Sequence, residues 1–476
     1  MSVDQTGSAP TESQPSTPTD QGATVNDETT PGGTSSLLSR RSVLRAAAVG
    51  AAGLGVAGVA GRAAAATALT PFGPTGDSTW VPTYRRDVRL AATDGWVSMP
   101  SNATKVPGYW PDTLAPDPFN MYVFGFRDLS FTQKPDGSYD EAAIIGERGK
   151  AQISAPVLSF DEGSEVRVTL TNLGLSQRPD LVDGHTMHWH GFNNAIPIFD
   201  GVPEMSASVP IGKSITYLYR PHDAGTYMYH CHFEDVEHVQ MGMTGLLFVR
   251  PLLNYKADGK TQKVDAKGKP LRYVFNDPNT RYDREFPIFL TENMPEDHFR
   301  DAHIQISDWS TYDPGFALFN GRAFPDTIED SFDPMGDPIT DPTTYGPGKP
   351  GARLKYQPRT ARIDVEVGDV VLLRLAHLGS VRHTITVDGI PLTVIGADAS
   401  QLIGSDGTKN SYTTNSVDIG PGESRDVLFD APPVGTYLVY DRNFMSLSNT
   451  GGSGYGGMLT HLVVHPAGTL GPQLAV

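Results

Sequence analysis

At 476 residues the chain is long enough for two or three domains with sizeable cores. Its 38% hydrophobic share is that of an ordinary soluble protein and argues against an integral membrane role, while a formal charge of -17 repels phosphate backbones and argues against nucleic acid as a partner. The single cysteine permits no internal disulfide, so in an exported protein it points to a reactive or metal-bound thiol.

Residues 1–68 read as a disordered N-terminus followed by an export signal. The disordered part is rich in Ser, Thr, Pro, Gly and Gln. Ser39-Arg40-Arg41-Ser42 then precedes an Ala/Gly/Val run from Ala46 to Ala60 and small residues at Ala66-Thr67-Ala68. The run is too short and too glycine-rich for a stable membrane span. The paired arginines predict the twin-arginine route, with a mature chain that starts near Leu69 and resides outside the cell, at its surface or in a periplasm. From there to about Asn120 the pattern predicts an irregular arm, and Met121–Phe126 is the first clear strand signal. Val166, Val168 and Leu170 alternate, as do Ile215, Tyr217 and Tyr219. Short strands with Gly, Pro, Asn and Asp turns and no long helical periodicity predict an all-β fold of tandem Greek-key sandwiches. The expected first domain spans 69–252 and the second 281–476, joined by a Lys/Gly-rich connector over 253–280. An Asp/Pro/Gly-rich loop from about 330 to 352 reads as solvated surface.

Chemistry concentrates in two stretches, His185-Thr-Met-His188-Trp-His190 and His230-Cys231-His232, the latter running on to His238 and Met243. They hold six of the thirteen histidines and the cysteine. One thiolate, two imidazoles and a weak thioether are the donors of a mononuclear copper site, and Cys231, His185, His238 and Met243 supply them. Zinc takes four strong ligands and has no use for a thioether. Alternation on a strand sends Cys231 to one face and its two histidine neighbours to the other. His188 and His190 have the same two-residue spacing and are positioned to meet them, while Trp189 between them turns into the core. The pattern predicts a thiolate site wired through Cys231 to a second, all-histidine metal site made of His188, His190, His230 and His232.

The second half repeats the first. Gly163–Gly174 matches Gly368–Gly379 without a gap, and Gly212–Gly225 matches Gly422–Gly435 in length. His185–His190 becomes His383-Thr-Ile-Thr-Val-Asp388, Tyr229–His232 becomes Val439-Tyr-Asp-Arg442, and Met243 finds Met458. The second copy keeps the fold signals and loses the ligands.

These stretches, with Asp200-Gly-Val-Pro203, Ala224-Gly-Thr-Tyr227 and Asn320-Gly-Arg322, resemble the multicopper oxidases, the laccase-like family of cupredoxin domains. The resemblance implies type 1 copper at His185, Cys231, His238 and Met243, a type 2 ligand at His188, and type 3 ligands at His190, His230 and His232. His238 follows Cys231 by seven residues where laccases have five. Type 1 copper in the first domain is similar to a two-domain class that assembles as trimers, with each cluster between neighbouring chains. That cluster uses eight histidines, yet Thr386, Asp388, Tyr440 and Arg442 stand where the second domain would supply four. His377, His383, His461 or His465 of a neighbour are the available substitutes. Three readings follow: an oxidase passing electrons from a small molecule or redox protein to dioxygen, a nitrite reductase-like enzyme with one type 2 copper, or a blue copper electron carrier. The ring edge of His238 is the expected point of electron uptake, beside a solvated acidic loop containing Glu234, Asp235 and Glu237.

Overall fold

Two β-sandwiches follow one another in the computed structural model, which describes residues 84–100, 112–117, 119–193, 195–331, 352–452, 454–471 and 473. The export signal and most of the 330–352 loop lie outside these residues. In the first sandwich, β1 (Tyr84–Ser98), β2 (Asn120–Asp128), β4 (Ser164–Gly174) and β6 (Ser214–Tyr219) form a sheet in the order β2-β1-β4-β6. β3 (Leu158–Asp161), β5 (His188–His190), β7 (Gly225–His230) and β8 (Thr244–Arg250) form the facing sheet, in the order β3-β8-β7-β5. Their inner faces share a core of Leu90, Phe124, Phe160, Val168, Trp189, Tyr217 and Leu247.

The expected irregular arm is corrected by β1. This 15-residue strand runs parallel to β4 and antiparallel to β2. Its residues from Leu90 to Asp94 are all buried. A strand covered on both faces shows no polar alternation to read.

The connector is less exposed than its composition predicts. Its β9 (Arg272–Tyr273) and β10 (Arg281–Tyr282) pair as a small ribbon, and Val274 and Phe275 pack with Leu372 and Ile395 of the second sandwich. There, β11 (Arg284–Asn293), β12 (Phe316–Phe319), β14 (Val370–His377), β16 (Leu392–Ala397), β17 (Ser400–Gln401), β18 (Tyr412–Thr414) and β20 (Ser424–Asp430) make one sheet. β13 (Ile363–Glu366), β15 (His383–Val387), β19 (Val417–Ile419), β21 (Gly435–Asp441) and β22 (Leu459–His465) make the other. The described helices are short: α1 (Glu141–Ile145), α2 (Asp235–Met241) and α3 (Pro295–Ala302). None is long and apolar enough to cross a membrane.

The strand registers bear out the internal repeat. His188 pairs with His230 between β5 and β7, and Thr386 pairs with Tyr440 between β15 and β21. The sandwiches pack through the outer face of the sheet that carries β7. Met228, Leu246 and Phe248 meet Phe289, Ala376 and Leu378 of the second domain. Arg374, fully buried, bonds Glu285, Asp426 and the Thr226 hydroxyl, and Arg250 also reaches Glu285 at 2.6 Å. Buried charges persist only when paired and hydrogen-bonded, so this network fixes how the two halves seat.

Candidate metal centre

Cys231 directly follows β7 and points into the first core with no exposure. Its Sγ lies 3.3 Å from Nδ1 of His238 and 3.8 Å from Nδ1 of His185, and the Thr186 amide approaches it at 3.4 Å. The His185 ring precedes β5, where a bridge to Val209 holds its backbone. His238 lies on α2, and this helix accounts for the seven-residue gap after Cys231. Gly242, with φ 117°, ends the helix and lets the chain turn back so that Met243 carbonyl oxygen accepts from the Cys231 amide at 3.1 Å. Met243 is buried in the same core as Cys231.

Burial pushes the Cys231 thiol up, but His238 and His185 outweigh it and hold the thiol well below its ordinary value. Burial alone would lower His238; the Cys231 thiolate and Asp183 instead raise it to about 10. Two imidazole nitrogens turned onto a thiolate, with a methionine buried in the same core, fit a soft-ligand copper site.

His238, the expected point of electron uptake, is covered in this fold. The ring has no exposure, and its Nε2 lies 3.7 Å from the Asp183 carboxylate. Asn172 holds that loop by donating to the carbonyls of Asp183 and Val209, both at 2.9 Å. The residues after Cys231 lead into α2, and Phe124, Phe233 and the Asp183 carboxylate lie around the His238 ring. Asp183 is thus a neighbour of the site that sequence reasoning missed, since nothing in its local pattern marks it.

The outward side carries the second group. His188, His190 and His230 bring one nitrogen each within 4.8 Å of one another, and the His232 ring lies 5.1 Å from that of His188. His188 Nδ1 donates to the Asp200 carbonyl at 2.6 Å and His230 Nδ1 to the Cys231 carbonyl at 2.8 Å. A carbonyl only accepts, so both rings are held with Nε2 as the free lone pair, as metal-binding imidazoles require. Burial lowers His230 to about 3, and lowers His188 and His190 as well, so these three rings are neutral near pH 7. His232 stands at the edge, its Nδ1 3.8 Å from Asp235. The Asp200-Gly201 turn matters here. Gly201 has φ 84°, and a Cβ there would press on the Met187 carbonyl and lie 2.7 Å from the His188 amide.

The second domain adds no described imidazole to this patch. Gly422 packs against His190, where a Cβ would lie 3.2 Å from Nε2. His377 and His383 are fully buried among their own partners, which corrects the expectation that a neighbouring chain could borrow them. His465 is paired with Asp364 at 2.9 Å, and His461 is half-buried beside Phe324.

Two cupredoxin-like sandwiches, with a buried Cys-His-His group joined through one residue to a patch of imidazoles, carry the donor types of a copper protein. Family profiles described as multicopper oxidase match residues 136–253 and 300–463, together more than half of the chain. The chain belongs to the multicopper oxidase family, and copper is the metal this family uses. It is 34% identical over 97 residues to laccase-1 of Emericella nidulans, covering 20% of this chain and 14% of that protein. It is 25% identical over 323 residues to L-ascorbate oxidase of Nicotiana tabacum, covering 64% of this chain and 46% of that one. The chain thus spans less than half the length of these curated relatives. The blue copper oxidase of Nitrosomonas europaea shares the fold, with a TM-score of 0.51 at 20% identity over 80% of this chain and 86% of that one.

Proposed function

We propose that this chain is an exported copper oxidase that takes electrons from a reducing substrate at the Cys231 site and passes them to dioxygen at the imidazole patch. The observation that carries the reading is the role of Cys231 itself. Its sulfur faces His185 and His238, while its carbonyl accepts from His230 on the outward side. Bound at the two sites, copper supplies one-electron uptake from the donor and the multi-electron reduction of oxygen. The protein's own part is positional. Burial of His185, Cys231, His238 and Met243 excludes water from the first site. The carbonyls of Asp200 and Cys231 hold His188 and His230 in the ligand tautomer. A small molecule or a redox protein delivers electrons to His238 past its neighbours Asp183 and Phe233.

Four imidazoles fall short of the eight in the family's cluster, and Thr386, Asp388, Tyr440 and Arg442 occupy the corresponding second-domain stations. A neighbouring copy completing the site, within a trimer, fits this shortfall. The paired arginines at Arg40 and Arg41 support twin-arginine export.

The test is purified, copper-loaded protein. An oxidase consumes oxygen with a phenol or a reduced redox protein, shows an intense blue absorption, and holds more than one copper per chain. One copper per chain without turnover leaves only an electron carrier, and turnover of nitrite without oxygen uptake moves the chain to nitrite reduction. Light scattering of the same sample reads the oligomer.

A further inference from the structure

The second domain has a buried ionisable cluster at the station of the copper site. Asp441 aligns with Cys231 and His383 with His185, and the strand registers agree: Ile385 pairs with Asp441, one step from the Thr386–Tyr440 pair. Met458, the counterpart of Met243, is fully buried. Glu292, from the end of β11, completes the group.

The hydrogen bonding is closed. His383 Nδ1 lies 2.6 Å from one Asp441 oxygen, while the other accepts from the Thr384 and Asn443 amides at 2.9 and 3.1 Å. His383 Nε2 bonds Glu292 Oε1, whose Oε2 accepts from the Ser380 amide at 2.7 Å. Room for that carboxylate depends on Gly379, where a Cβ would collide with it. His377, its ring 4.9 Å away, donates from Nε2 to the Val381 carbonyl at 2.7 Å and accepts from the Gly379 amide at Nδ1 at 3.2 Å. Nδ1 also lies 3.2 Å from the Leu290 carbonyl, so backbone groups engage both ring nitrogens, although Glu292, His377 and His383 do bring one possible ligand atom each within 4.8 Å of one another. No side-chain atom of Glu292, His377, His383 or Asp441 is a buried polar atom without a partner. Carboxyl groups stand on both sides of His383, the arrangement that favours hydrogen on both of its nitrogens.

We propose that the second domain holds a proton where the first holds copper: Glu292, His383 and Asp441 form a buried carboxylate–imidazolium–carboxylate bridge. Glu292 belongs to one sheet and His383 and Asp441 to the other, so the bridge clamps the two layers at one end of the sandwich. A cavity of about 500 Å³ opens beside it, lined by Met294, Glu296, Asp313, Phe316 and Met445 among others. The groups facing His383 are Glu292 from β11, Asp441 from β21 and neutral His377 from β14, with Glu296 and Asp313 across the cavity. Arg382 is engaged on the outer surface by Asp418 at 2.8 Å. Burial opposes the charge on His383, but Asp441 and Glu292 outweigh it and raise its titration to about 9. A folded-state value above the unfolded one means stability that is full below about pH 6.5 and lost as pH rises through about 9. The clamp is thus an alkaline release.

The test uses full-length, copper-loaded protein. Nitrogen-15 NMR of the histidine rings at pH 7.5 should show one imidazolium, with both nitrogens protonated, absent from His383→Gln. Melting temperature should fall between pH 7 and pH 10 more steeply in the wild type than in His383→Gln, whose deficit shrinks as the wild-type ring deprotonates. A neutral His383 ring at pH 7.5 overturns the proposal. So does metal analysis in which Glu292→Gln removes one equivalent of any metal, because the site is then a metal site. If His383→Gln does not fold, the wild-type ring spectrum and the Glu292→Gln metal content still decide.

Discussion

Thr386 faces Tyr440 across β15 and β21 at the station where His188 faces His230 across β5 and β7. One pair carries side chains that can ligate a metal and the other does not, on the same backbone register. The contrast gives a direct experiment. His188→Thr, which copies the second domain's residue, should remove metal from the imidazole patch and end oxygen consumption. The blue absorption of the Cys231 site should remain. Loss of both signals together would mean that His188 supports the fold rather than a separate site.

Cys231→Ser replaces the soft thiolate with a hard oxygen of similar size. The blue colour should vanish, copper content should fall by one equivalent per chain, and donor oxidation should stop. Since Cys231 is fully buried in a packed core, circular dichroism should change little. A coloured variant would remove the cysteine from the site.

Gly201→Ala acts at a distance from any ligand atom. The positive φ and the collision with Met187 and His188 backbone should cost about 1–3 kcal/mol. The turn that presents the Asp200 carbonyl to His188 should shift, so metal at the imidazole patch is lost before metal at Cys231. Stepwise chelation followed by electron paramagnetic resonance reads the order.

Glu285 anchors the join between the halves. Burial would raise its carboxyl, but Arg250 and Arg374 prevail and hold it down at about 2. The folded value lies below the unfolded one, so this stability is present above about pH 4.5 and lost as pH falls toward 2. Glu285→Gln leaves buried arginines short of a partner and should cost about 3 kcal/mol. Urea unfolding at pH 7 should show the drop, and the variant's acid unfolding should be less steep between pH 4.5 and 2.

The two candidate metal groups were readable because their members lie in dense local motifs: the paired spacing of His188 with His190 and of His230 with His232 is strand geometry written directly in residue order. The repeat was equally plain, since Gly163–Gly174 and Gly368–Gly379 align without a gap. β1 was not readable, because a strand buried on both faces from Leu90 to Asp94 has no alternation to display. The cover over His238 was hidden for another reason. It includes Asp183, whose loop Asn172 holds, and such a meeting across the fold leaves no mark in local spacing. Glu292 is distant from His383 in sequence by the same logic, and only the closed sandwich brings them together.

The packing of Met228, Leu246 and Phe248 against Phe289, Ala376 and Leu378 gives a repeat without the histidine pairs a structural task. Were it deleted, the apolar back of the copper-bearing layer would be bare to solvent and would invite aggregation. A duplicate stripped of chemistry can still serve as the wall of the room in which the chemistry happens.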